Sequence, residues 1–396
     1  MPEPVYFDHA ATTPVKPEVL EAMAPYFGAR FGNPSSVHRW GRDARVALDE
    51  ARERVAACLG ANADEVCFTS CGTEGDNLAI LGVFRTLRAS GRVAAVTTPI
   101  EHKAVLAAVH EAAREGGEER SVPVLNCGVV NQVEFARLVD NRVAIASVMW
   151  VNNEVGVVQP IRGLADHAKS VGAVFHTDGV QAFGKIDINA REIPFDLLAI
   201  SGHKIGAPKG IGALYIRRGT PLEPIVVGGS QDRGRRAGTE NVAFAVGLAV
   251  AAELAVTERE HECTRLLAFR ERLERGLLSQ VPDAVIHGAD AERAPHITNV
   301  SIPGISSESM LMALDLRGIA CSAGSACQSG SVSASHVLSA MGISVDMANA
   351  ALRFSTGTLT DDASIQRLLE VLPMLVNKAR GGAKVPLAPV MSHARA

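Results

Sequence analysis

The sequence predicts an α/β fold: a mostly parallel sheet covered by helices, followed by a smaller α+β domain. Two observations carry this expectation. Short apolar runs alternate with longer segments whose apolar residues recur at helical spacing. After about Glu260 that alternation gives way to a long charged segment and short strands. We expect a large domain over residues 15–260 and a small one over 261–380. Residues 1–14 join the small domain, and 381–396 form a flexible Gly/Pro/Ala-rich tail.

The elements follow in order. "SSVHRWGRDARVALDEARERVAACLG" reads as a helix with Ser36 as cap and Gly60 as stop. "EVCFTS" reads as a buried strand and "TEGDNLAILGVFRTLR" as the helix after it. "RVAAVTT" and "HKAVLAAVHEAARE" repeat the pattern. "VAIASVMWV", "AVFHTD" and "FDLLAIS" continue the strands, with the helix "IRGLADHAKSVG" between the first two. "VAFAVGLAVAAELAV" is too short to span a bilayer and reads as a buried helix. Beyond it come a charged helix at "ERLERGLLSQV" and a strand at "HITNVSI". Strands alternating with helices imply a parallel sheet, which binds ligands at the carboxyl ends of its strands.

Composition narrows the function. The 396 residues are 47% hydrophobic and 21% charged, with a net charge of −4 and no basic block. Nucleic acid and anionic membrane are therefore not expected partners. The start, "MPEPVYFDHAATTP", lacks the basic and apolar segments of a secretory signal. Seven cysteines without a Cys-x-x-Cys pair favour a reducing, cytoplasmic setting and offer no zinc spacing. Cys67 and Cys71, at a strand end, read as core packing.

Several polar groups sit at strand ends. Lys204 follows the strand ending at Ser201, among Gly202, Gly206, Gly210 and Gly212. A lysine amine there could form an imine with a carbonyl cofactor; alone, it equally fits a solvated turn. Asp178 ends another strand, with Gln181 just after it. A carboxylate is what pyridoxal phosphate needs opposite its ring nitrogen, though a turn cap would explain Asp178 alone. Gly72 and Thr73 open a helix whose free N–H groups suit a phosphate; Thr73 could instead merely cap it. His102 follows a strand and could stack on the cofactor ring and move protons, or serve as a structural hydrogen bonder. Arg353 could clamp a carboxylate. "GRRAGTEN" suits an anion or a polar lead into the next helix.

"CSAGSACQSG" is the most unusual stretch. Cys327 lies among Ser, Ala and Gly, where a structural thiol has nothing to pack against. A Gly/Ser loop suits a thiol that must travel. Cys321 reads instead as the inert end of a buried strand, "GIACS".

Taken together, "YFDHAATTP", "FGNPSSVHRWGR", "TEGDNLAI", "EHKAV", "VNNEVGVVQPI", "HTDGVQAFGK", "SGHKIGAPKGIG", "GRRAGTEN", "GSAC" and "LRFSTGTLT" resemble the cysteine desulfurases of the NifS/IscS type. These belong to the class V aminotransferase group of fold-type I pyridoxal-phosphate enzymes. The similarity runs over nearly the whole chain. It implies that Lys204 carries pyridoxal 5′-phosphate as an imine, that Asp178 pairs with its ring nitrogen and that Gln181 bonds its ring oxygen. His102 would stack on the ring, and Gly72, Thr73, Ser201 and His203 would hold the phosphate. Thr239 would reach the phosphate of a second copy, making a homodimer. Asn153 and Arg353 would hold the carboxylate of L-cysteine, and Asn33 would lie near the entrance. Cys327 matches the persulfide-forming cysteine, with His102 the candidate for helping to ionise it. An iron–sulfur cluster scaffold or another protein would accept the sulfur. The family's common "SSGSAC" is "SAGSAC" here. A selenocysteine lyase or an aminotransferase would share the fold, but an aminotransferase has no use for Cys327. A non-catalytic cluster scaffold would need more cysteine ligands.

Overall fold

The computed structural model describes residues 3–323 and 334–381. Its first half contains β1 (Val5–Tyr6), α1 (Pro17–Met23), α2 (Arg39–Cys58), β2 (Val66–Thr69), α3 (Gly72–Leu87) and β3 (Ala94–Thr97). Then follow α4 (Lys103–Arg114), β4 (Glu118–Ser121), α5 (Gln132–Leu138), β5 (Val143–Ser147), α6 (Ile161–Ser170) and β6 (Val174–Asp178). β7 (Leu197–Ser201), β8 (Gly212–Ile216) and α7 (Val242–Thr257) complete that half. The second half holds α8 (Arg259–Gln280), β9 (Val285–Ile286), β10 (Ile297–Ser301), α9 (Ser307–Asp315), β11 (Ile319–Ala320) and β12 (Ser322–Ala323). It ends with α10 (His336–Ala340), α11 (Val345–Asn349), β13 (Ala351–Ser355) and α12 (Asp362–Ala379).

Seven strands form the central sheet in the order β2-β8-β7-β6-β5-β3-β4. β7, β6, β5, β3 and β4 pair in parallel, and β8 runs antiparallel to both of its neighbours. β2 therefore points the same way as β7. The strands that carry site residues all end on one edge, where an open α/β sheet binds its ligands. β2, β3, β5, β6, β7 and β8 are buried at every position, which explains their continuous apolar runs. α7 is apolar on nearly every side and is buried along most of its length, packed against α1 and α2.

A second sheet, β12-β13-β10-β9, is antiparallel throughout. Its core joins Val300, Leu352 and Phe354 to Leu273 and Leu277 of α8 and to Leu368 and Leu372 of α12. β1 pairs with β11, Val5 opposite Ile319, so the chain's beginning lies beside its last third. We propose the division between large and small domains near residue 260, at the start of α8.

Local details differ from expectation. α2 is capped by His38, whose Nδ1 accepts from Gly41 N–H, and not by Ser36. An imidazole nitrogen here does the work of a cap oxygen. β5 stops at Ser147 as a regular strand, although Val148 N–H and Trp150 N–H still donate to the His176 and Asp178 carbonyls of β6.

Buried histidines give a pH prediction. His9, His176 and His287 are each under 5% exposed. Burial is the first cause lowering each, His176 to about 3 and the other two to about 4. In the unfolded chain they titrate near ~6.5. Below that pH the unfolded state binds protons that the folded state does not, so stability falls as pH drops from about 6.5 to about 4. Glu101, raised to about 8, acts in the opposite sense. The expected result is a urea midpoint that falls steeply over that window. His287→Gln, losing one titrating group, should flatten the slope; an unchanged slope would count against its neutral burial.

Candidate active site

A cavity of about 230 Å³ opens at the carboxyl edge of the central sheet. The turn after β2 and the start of α3 supply Cys71, Gly72 and Thr73, and the segment after β3 supplies His102. Met149 and Asn153 come from the segment after β5. The end of β6 contributes Asp178 and Gln181, and the end of β7 contributes Ser201, His203 and Lys204. Arg353 reaches the same space from β13, and Ala10 and Ala11 close it from the N-terminal segment.

Lys204 ends a single 3₁₀ turn, Gly202–Lys204, directly after β7. Its Nζ donates to the carbonyls of Ala10 and Ala11, both at 2.6 Å. Asp178 is buried, and one carboxylate oxygen accepts Val180 N–H at 2.9 Å. Burial raises its pKa, opposed by His102, the Val180 bond and Lys204. Gln181 donates to the Ala10 carbonyl at 2.9 Å and faces His296 through Oε1 at 3.2 Å.

The other wall fits a phosphate. α3 starts at Gly72, with Cys71 as N-cap giving no side-chain bond, so the first N–H groups face outward. Thr73 lies inside the first turn, so it is not the cap. A Cβ on Gly72 would come within 2.7 Å of Val180, so backbone and neighbour approach closely there. The buried Ser201 Oγ has no hydrogen-bond partner among the described residues. His203 Nδ1 lies 3.2 Å from Thr12 Oγ1, and burial lowers this imidazole to about 4. An orphaned hydroxyl, the N–H groups of a helix start, a buried carboxylate and a lysine amine lining one cavity fit pyridoxal 5′-phosphate.

His102 caps α4, its Nδ1 accepting Ala104 N–H at 3.1 Å. Burial, the largest cause, lowers its pKa. With Nδ1 accepting, a neutral ring would carry its proton on Nε2. Arg353 is 1% exposed. It bonds Asp8 at 2.8 Å and the Asn153 carbonyl at 2.9 Å, and its Nε has no partner among the described residues. A guanidinium so held keeps an N–H available for an incoming carboxylate.

Two expected residues stand elsewhere. Asn33 is exposed and caps Ser35 N–H at 2.9 Å. Thr239 lines a separate recess with Thr69, Ser70 and Arg236. Cys327 lies outside the described residues. Cys321 packs against the second core, and burial pushes its thiol up to about 12, as an inert residue requires. Sequence reasoning missed three groups. Asp8 orients Arg353; Cys71 lines the cavity rather than packing the core; Asp76, buried, lines it too. A carboxylate on the apolar face of α3 was the available signal for Asp76.

Residues 5–368 match the family described as aminotransferase class-V. The chain is 42% identical to the cysteine desulfurase IscS of Dictyoglomus turgidum, over 96% of each chain. It is 44% identical to the cysteine desulfurase NifS of Azotobacter vinelandii, covering 95% of this chain and 93% of that one. A solved structure titled NifS-like protein superposes with a TM-score of 0.89 at 35% identity, covering 95% of this chain and all of the other.

Proposed function

Because the chain belongs to the aminotransferase class-V family, among its cysteine desulfurases of the NifS/IscS type, we propose a specific assignment of its residues to the removal of sulfur from L-cysteine. The observation that carries it is the meeting of Lys204 and Ser201 at the end of β7, Asp178 at the end of β6 and Arg353 of β13, three distant segments, in one cavity.

Pyridoxal 5′-phosphate, when bound, supplies the electron sink that lets a carbon–sulfur bond break. Gly72, Thr73, Ser201 and His203 hold its phosphate, Asp178 its ring nitrogen and Gln181 its ring oxygen. Arg353 and Asn153 fix the substrate carboxylate, with Asp8 keeping the guanidinium in place. Lys204 Nζ takes the α-proton of the substrate and returns a proton to the product. His102 covers the ring and donates from Nε2. The Cys327 thiolate attacks the substrate sulfur; an S–S bond forms as the C–S bond breaks. In sum, L-cysteine and a thiol become L-alanine and a persulfide.

Cys327 is four residues beyond Ala323, and four residues span at most about 14 Å. Ala323 lies on β12, which pairs with β13 at Arg353. That short tether supports Cys327 as the acceptor. The persulfide then passes to an acceptor such as an iron–sulfur cluster scaffold. The six described cysteines are all unbridged, which supports a reducing, cytoplasmic setting. Among the described residues, no helix is long and apolar enough to cross a membrane.

We also propose a homodimer. Phe31, Val37 and Trp40 are 70%, 89% and 54% exposed in the same segment as Asn33. Arg45 pairs with Glu240, next to Thr239, so both unplaced site residues lie near this apolar surface. Sedimentation showing only monomer at working concentration would refute it.

The test of the assignment is incubation with L-cysteine followed by alanine measurement and mass spectrometry of the protein. One alanine should appear for each sulfur added, with the first sulfur on the Cys327 peptide. Sulfur located elsewhere, or alanine without added mass, would overturn it.

A further inference from the structure

Three carboxyl side chains are buried at or next to the cavity: Asp76 of α3 and Asp178 of β6, which line it, and Glu101 after β3. Their surroundings differ. Asp178 has Val180 N–H and the favourable fields of His102 and Lys204. Glu101 accepts Thr98 Oγ1–H at 2.6 Å and Met149 N–H at 3.0 and 2.9 Å. Asp76 has His176 Nε2 at 3.5 Å, and neither that nitrogen nor Asp76 Oδ1 has a hydrogen-bond partner among the described residues. Among the described residues, the first charged neighbour acting on Asp76 is Asp178, which opposes a second negative charge.

The helix dipole does not rescue an ionised Asp76. It is the fifth residue of α3, past the first turn, where that field has faded. On the far side of the imidazole, His176 Nδ1 lies 2.8 Å from Ser147 Oγ. If Nδ1–H donates to Ser147, Nε2 is left as an acceptor pointing to Asp76.

We propose that Asp76 is a positioning residue: a neutral acid that donates its O–H to His176 Nε2 and leaves the negative charge of the cluster to Asp178. This deepens the reading of Asp178 as the partner of the cofactor's ring nitrogen and rests on it. Two ionised carboxylates side by side would repel; one protonated and one charged give Asp178 a defined state and orientation. Burial, the largest cause, also raises Asp76 well above the usual carboxylate range and keeps His176 neutral at about 3.

The experiment is infrared spectroscopy of the full-length, cofactor-loaded enzyme at neutral pH, with a visible pH titration of the same samples. Asp76→Asn should remove one protonated-carboxyl band, which Asp178→Asn should retain. Because asparagine is also neutral, the midpoint of the visible titration should stay within about twofold in proton affinity. If Asp76 were ionised, no band would be lost and the midpoint would move by about tenfold; either result overturns the proposal. His176→Gln, which keeps the acid and changes its acceptor, should shift the same band, and an unmoved band also overturns it. Cofactor affinity in Asp178→Asn reports separately on the underlying reading. A loss of about tenfold or more supports it, and unchanged affinity refutes the ring-nitrogen role whatever the infrared result.

Discussion

Lys204→Ala is expected to yield a folded, colourless protein whose turnover of L-cysteine falls by about 10⁴-fold or more. One side chain has two duties here: anchoring the cofactor and carrying the α-proton at Nζ. No second lysine lines the cavity to replace it among the described residues. The fold should survive, because the backbone around Lys204 is held independently. Thr13 N–H and Thr13 Oγ1–H both donate to the His203 carbonyl at 2.9 Å, and Gly206 N–H donates to Thr13 Oγ1 at 3.0 Å. The checks are absorbance, bleaching of the wild-type band by borohydride, and alanine release. A yellow Lys204→Ala protein with normal turnover would sink the assignment.

Cys327→Ser should keep the colour and lose both persulfide and turnover, again by several orders of magnitude. A serine hydroxyl is a far weaker nucleophile toward sulfur than a thiolate. Cys321→Ser is the decisive control. With its thiol raised to about 12, Cys321 is ionised at neutral pH to only roughly one part in 10⁵. It should retain turnover within a few-fold. Normal alanine production by Cys327→Ser would remove that residue from the chemistry.

Much of this site was legible in sequence because its residues follow strand ends, where an apolar run stops and a polar residue begins. Lys204 after Ser201, Asp178 at the end of "AVFHTD" and Gly72 after "EVCFTS" all follow that rule. Strand direction was less legible: β8 is as apolar as its parallel neighbours, and composition does not encode its antiparallel course. His38 displaced Ser36 as a cap because an imidazole nitrogen accepts as well as an oxygen does. Asp8 escaped notice since its partner Arg353 is 345 residues away, beyond any local periodicity. Asp76 was visible only as a misfit, one charge on a buried helix face.

The pairing of β1 with β11 also bears on how the protein is made. Residues 5–11 leave the ribosome more than 300 residues before their partners: Val5 waits for Ile319, and Asp8 and Ala10 wait for Arg353 and Ser355. The carbonyls that hold Lys204 therefore reach their places only after residues 319–355 have been made. The nascent chain carries residues 5–11 without these partners until then, and the pocket closes late in synthesis.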